Sequence, residues 1–135
     1  MTLERILIVD DEAHIRETVR LILERAGYNV LLAANGQEAI SLMEQGDHAN
    51  TVKTLLCDLD MPEINGSTLI AHFRSCYPTI PILVLSGTSA AEFTEAIAQQ
   101  GVLDWIRKPA TRETIIEKVR GAVKLCGLRK KDALR

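Results

Sequence analysis

The chain has no run of about 18 or more uninterrupted apolar residues, so no membrane-crossing helix is expected. Its first residues, MTLERILIVDDE, lack a basic leader followed by a long apolar stretch, so no secretory signal is expected either. The three cysteines, Cys57, Cys76 and Cys126, are odd in number and form no C-x-x-C pair. That excludes a disulfide framework and a paired-cysteine zinc site, and fits reduced thiols in the cytoplasm. His14, His48 and His72 lack metal-ligand spacing and read as surface histidines. A basic surplus is missing too: 16 Lys and Arg face 18 Asp and Glu, for a net charge of −2. Four of the basic residues and one acid fall in the tail from Arg129. The body is therefore distinctly acidic, which argues against direct nucleic-acid binding by it. Internal repeats and low-complexity segments are absent, and no domain boundary is visible before about residue 125.

What is present is a 135-residue chain that is 47% hydrophobic, enough for one compact core. Short runs rich in Ile, Val and Leu predict strands at 5–9, 29–33, 54–57, 82–85 and 103–106. Continuous apolar runs suit strands covered on both faces, as in a parallel sheet. Amphipathic stretches alternate with them. The first turns Ile15, Val19, Ile22, Leu23 and Ala26 to one face and ends at Gly27, a plausible residue after a helix C-cap. The second opens at Asn35-Gly36, with Ala39, Ile40 and Met43 inward. The third runs from about Ser67 and fades before Pro78, because a residue ahead of proline disfavours helix. The fourth is expected from Ser89 to Gly101, using Phe93, Ala96 and Ile97. The last starts at Thr111, a good N-cap, with Ile115, Ile116, Val119, Ala122 and Val123 inward. The order is (βα)5, which predicts a doubly wound α/β sheet with right-handed crossovers. The domain is assigned to residues 1–125. Residues 126–135 form a basic C-terminal tail, read as a helix end or a linker stub.

In such sheets ligands bind beyond the carboxyl ends of the strands. Strand one ends on Asp10-Asp11 and strand three on Asp58. Strand four ends on Ser86, and strand five on Lys108 just before Pro109. Strand two offers only Ala33-Ala34. One rim thus gathers acids, a hydroxyl and an ammonium. Three carboxylates about 5 Å apart repel by roughly 3 kcal/mol per pair at an effective dielectric of 20. A single ammonium cannot balance them, whereas a hard divalent cation can.

The acid pair Asp10-Asp11, the Asp58-x-x-Met61-Pro62 turn with Gly66, Ser86, and Lys108-Pro109 stand in this order at the strand ends. Together they resemble the receiver domains of two-component response regulators, over about residues 4–125. The resemblance implies a five-stranded parallel sheet in the flavodoxin-like order 2-1-3-4-5. It implies a phosphoacceptor at Asp58, loaded from a histidine kinase or histidine phosphotransfer protein in a phosphorelay. Asp11, the Asp58 carboxylate and the backbone carbonyl of Asp60 would coordinate Mg²⁺, with Asp10 acting through water or by positioning the metal. Lys108 would pair with the phosphoryl group. Ser86 would hydrogen-bond it and shift, and Trp105 would stand at the aromatic switch position. The face made by the fourth strand, fourth helix and fifth strand would signal to a tethered or separate output domain. The domain would be no enzyme in the metabolic sense, though it assists its own phosphorylation and dephosphorylation. Two departures stand out: receivers more often carry Tyr or Phe in place of Trp105, and an aromatic in place of Ala110.

Three other readings share some of these residues. Asp58-x-Asp60 also resembles the nucleophile motif of haloacid-dehalogenase-type phosphatases. There the metal-binding acids follow the lysine, whereas here Glu113 and Glu117 lie within the last helix. A flavodoxin-like cofactor module needs a phosphate loop after strand one, where Asp10 and Asp11 repel phosphate. A degenerate receiver, acting only as an interaction module, is opposed by the intact acid set. For Cys57, beside Asp58 in an apolar strand, packing is the expected role.

Overall fold

The computed structural model describes residues 3–59, 66–87 and 101–133. Five parallel strands form one sheet: β1 (Arg5–Val9), β2 (Asn29–Ala33), β3 (Val52–Asp58), β4 (Ile82–Ser86) and β5 (Asp104–Arg107). Their order is β2-β1-β3-β4-β5, the expected doubly wound arrangement. Among the described residues the helices are α1 (Ala13–Arg25), α2 (Gly36–Met43), α3 (His48–Thr51), α4 (Gly66–Cys76) and α5 (Arg112–Ala133). The fourth predicted helix, from Ser89 with Phe93, Ala96 and Ile97, lies outside the described residues.

Alternation along each strand explains why the runs are continuously apolar. Leu7, Val9, Leu55, Cys57, Ile82 and Val84 point to one side, where Ala39 and Met43 of α2 and Leu69, Ile70 and Phe73 of α4 cover them. Ile6, Ile8, Leu56, Leu83 and Leu85 point to the other, against Val19 and Leu23 of α1 and Ile115, Val119 and Ala122 of α5. Each large side chain so buried contributes roughly 1.5–3 kcal/mol before conformational entropy is set against it.

Local chemistry sets the helix ends. Asn35 accepts a hydrogen bond from the Glu38 N–H (2.9 Å), capping α2. Thr111 does the same for Thr114 N–H (3.1 Å) at α5. Gly27, at φ +102°, follows α1; its N–H reaches Glu24 O and that of Tyr28 reaches Leu23 O, which closes the helix in a Schellman turn.

The strands differ from expectation at their ends. β3 starts at Val52 instead of Thr54 and reaches Asp58, β4 takes in Ser86, and β5 is displaced by one residue. A one-turn helix, α3, precedes β3; four residues are too few to show a period. α5 passes residue 125 without interruption and buries Cys126.

Candidate functional site

Because all strands run the same way, their carboxyl ends share one rim. Register places Val9 beside Cys57, Asp58 beside Leu85, and Ser86 beside Arg107. The residues that end these strands are therefore neighbours, although they are far apart in sequence. Asp10, Asp58 and Ser86 are almost wholly buried, at 1%, 1% and 0% exposed. Asp11 is exposed, and the Lys108 side chain is 25% exposed, at the mouth.

The Lys108 ammonium donates to Asp58 Oδ1 at 2.9 Å. Asp10, Asp11 and Asp58 each present an oxygen within 4.8 Å of the other two. Asp10 Oδ1 accepts from the Glu12 N–H at 2.9 Å. Its Oδ2 is buried with no hydrogen-bond partner among the described residues. Burial raises the Asp10 carboxyl to about 7; the Asp58 charge adds to the rise, and the Glu12 N–H opposes it. The rim is thus a half-buried pocket with more negative charge than its own cation neutralises. A hard oxygen-seeking dication fits it: the donors are all carboxylate oxygens, mutually close, and one is left without a protein donor.

The structure brings Asp10, Asp11, Asp58 and Lys108 together. It puts Ser86 at the end of the adjoining strand β4. Trp105 lies three residues before Lys108, half-buried, packed on the core side that α2 and α4 cover. Asp60 and the Met61-Pro62 turn lie outside the described residues. Cys57 is wholly buried; that burial, with Asp58 and Asp10 beside it, pushes its thiol up to about 12, consistent with packing. None of the three histidines belongs to the acid cluster. His14 is exposed, His48 Nδ1 lies 2.6 Å from Leu42 O, and His72 meets the Tyr77 ring edge-on.

One contributor escaped the sequence pattern. Arg16 on α1 donates to the Asp10 backbone carbonyl at 2.7 Å, tying the first helix to the acid pair. Its position on the first turns of a helix that follows two acids was the available clue. The turn also holds a cis Lys108–Pro109 bond.

The model of a family described as "Response regulator receiver domain" matches residues 6–120. Among curated proteins, the response regulator MprA of Mycobacterium sp. (strain KMS) is 32% identical over 120 residues, covering 89% of this chain and 50% of its own length. The CAI-1 autoinducer sensor kinase/phosphatase CqsS of Vibrio cholerae is 33% identical over 118 residues, covering 85% of this chain and 17% of that protein. The chain thus spans half or less of these relatives. Among solved structures, the chemotaxis response regulator CheY4 of Vibrio cholerae superposes with a TM-score of 0.79 at 29% identity, covering 90% of this chain and 99% of that one. A receiver domain protein from Clostridium thermocellum shares the fold at a TM-score of 0.83 and 22% identity, covering 98% and 100% of the two chains.

Proposed function

Since this chain belongs to the response regulator receiver domain family, we propose that Asp58 accepts a phosphoryl group from a phosphohistidine donor. The observation that carries this is a buried carboxylate held at 2.9 Å by Lys108 and flanked by two further acids. An Asp58 oxygen attacks phosphorus as the donor's P–N bond breaks. The bond pair leaves with the imidazole, and an acyl phosphate remains on the chain. Lys108, already at Asp58, pairs with the incoming phosphoryl oxygens, and the Ser86 hydroxyl supplies a hydrogen bond. Arg16 keeps the Asp10-Asp11 turn in place. Asp10, Asp11 and Asp58, with the Asp60 carbonyl, would hold Mg²⁺, which neutralises charge on the transferring group.

The acceptor unit comprises residues 1–125; of the basic segment 126–135, residues 126–133 continue its last helix. The phosphorylated form presents the β4–β5 face, through Ser86 and Trp105, to an output domain, tethered or separate. The protein works in the cytoplasm with a histidine kinase or histidine phosphotransfer protein. No helix among the described residues is long and apolar enough to cross a membrane. A phosphatase of the haloacid-dehalogenase type is disfavoured because Glu113 and Glu117 are exposed on α5 and stand outside the acid cluster.

The test is intact mass after incubation with acetyl phosphate and Mg²⁺. One phosphoryl adduct per chain is expected in the wild type and none in Asp58→Asn. Labelling of Asp58→Asn at the wild-type level would overturn the assignment of the nucleophile. Sustained turnover of a phosphate ester would instead favour the phosphatase.

A further inference from the structure

The opposite end of the sheet carries a second charged cluster. Lys53, second residue of β3, stands five residues before Asp58, about 17 Å along an extended strand. Its ammonium donates to Asn50 O at 3.0 Å. The ammonium of Lys130, near the end of α5, donates to the same oxygen at 3.2 Å. Two like charges therefore share one carbonyl acceptor, and both side chains are half-buried. Among the described residues neither forms an ion pair. By contrast Lys108 is tied to Asp58 and Lys118 to Asp104 (2.6 Å). Arg129 precedes Lys130 on α5; the charges of Lys130, Lys53 and Arg129 favour the Cys126 thiolate, while burial and the Glu4 carboxylate oppose it and hold the thiol above its ordinary value.

We propose that Lys130 is a nucleophilic amine that takes an acyl group from small acyl phosphates, with Lys53 and Arg129 holding the phosphate. The crowding of two ammoniums on one carbonyl favours loss of a proton from one of them. Lys130 is the one released: burial pushes its ammonium below the ordinary lysine range, and Lys53 beside it pushes it further. Its neutral nitrogen attacks the acyl carbon, the C–O bond to phosphate breaks, phosphate leaves with that electron pair, and the nitrogen gives up a proton to solvent. The product is an amide and inorganic phosphate, so atoms and charge balance. The amide keeps an N–H to donate to Asn50 O, while the repulsion with Lys53 is gone.

The chain has six lysines, which allows an internal ranking. Lys124 and Lys131, exposed neighbours on α5, are the reference. The experiment is site-resolved peptide mass spectrometry of the whole chain after brief treatment with acetyl phosphate. Lys130 should label on the order of fivefold faster than Lys124 or Lys131, and Lys118 slowest. Lys53→Met and Arg129→Gln should each bring Lys130 toward the reference rate. With an uncharged acetylating ester the advantage should shrink, because no phosphate is there to be held. Labelling should persist in Asp58→Asn, which separates this site from the phosphoacceptor. Equal labelling of Lys124, Lys130 and Lys131 in the wild type would overturn the proposal. So would preferential labelling of Lys53, or loss of Lys130 labelling in Asp58→Asn.

Discussion

Asp10 and Lys108 act on Asp58 with opposite sign, and the difference is measurable. Removing one partner of a fully buried ion pair costs about 3–5 kcal/mol, because the other charge stays buried. Lys108 is a quarter exposed, so Lys108→Met should lower stability by less, about 2 kcal/mol by the same principle. At a pH well above about 7, where the raised Asp10 carboxyl is ionised, Asp10→Asn removes a buried anion that faces another at short range and keeps the side-chain shape. It should raise the stability of the metal-free protein by about 1 kcal/mol, part of the roughly 3 kcal/mol that a close pair of anions costs. Urea unfolding in EDTA would show both shifts. The same series in Mg²⁺ should show a gain for the wild type that Asp10→Asn largely loses. If Asp10→Asn weakened the protein in EDTA, the acids would not be repelling one another. At this scale much was legible: Asp10, Asp11, Asp58 and Lys108 are conspicuous because each ends an apolar run. Arg16 was not, because its partner is a backbone oxygen, and backbone acceptors leave no trace in the order of side chains.

The elements divide in the same way. α1 closes as its sequence implied, because Gly27 alone can take φ +102° there without strain. Gly27→Ala should therefore cost about 1–2 kcal/mol, the penalty for an L side chain in the left-handed region. No neighbour crowds the added carbon, so the loss should appear as a lower urea midpoint with unchanged slope. An unshifted midpoint would remove the Schellman turn from the causes of helix termination. β3 is longer than its apolar run for a related reason. Lys53 interrupts the apolar pattern at its start, and the strand continues because backbone bonding to β1, with Arg5 beside Val52, does not depend on which side chain is carried. α3 is held by tertiary contacts: Arg5 reaches both Asp47 and Thr51 across the sheet end, a pairing of residues more than 40 apart that no local pattern reveals.

Across the whole molecule, the rim and the reporting face are joined by an edge strand. Among the described residues β5 has a single hydrogen-bonded neighbour, β4. Shifting it breaks fewer ladder bonds than shifting a central strand would. β5 also leads from Trp105, whose ring leans on the α2 and α4 side of the core, to Lys108, whose ammonium is on Asp58. A change in what Lys108 holds therefore acts on a strand whose displacement Trp105 must feel. The chain has one tryptophan, so its emission reports this strand alone. Emission should change when Mg²⁺ is added, as charge at the rim is neutralised. It should change again with beryllofluoride, which places a phosphoryl-like group on Asp58 within reach of Ser86 and Lys108. In Lys108→Met the second change should disappear while the first remains, since the acids are intact. A flat response of the wild type to both additions would mean that β5 does not move, and that Trp105 is packing and not a switch.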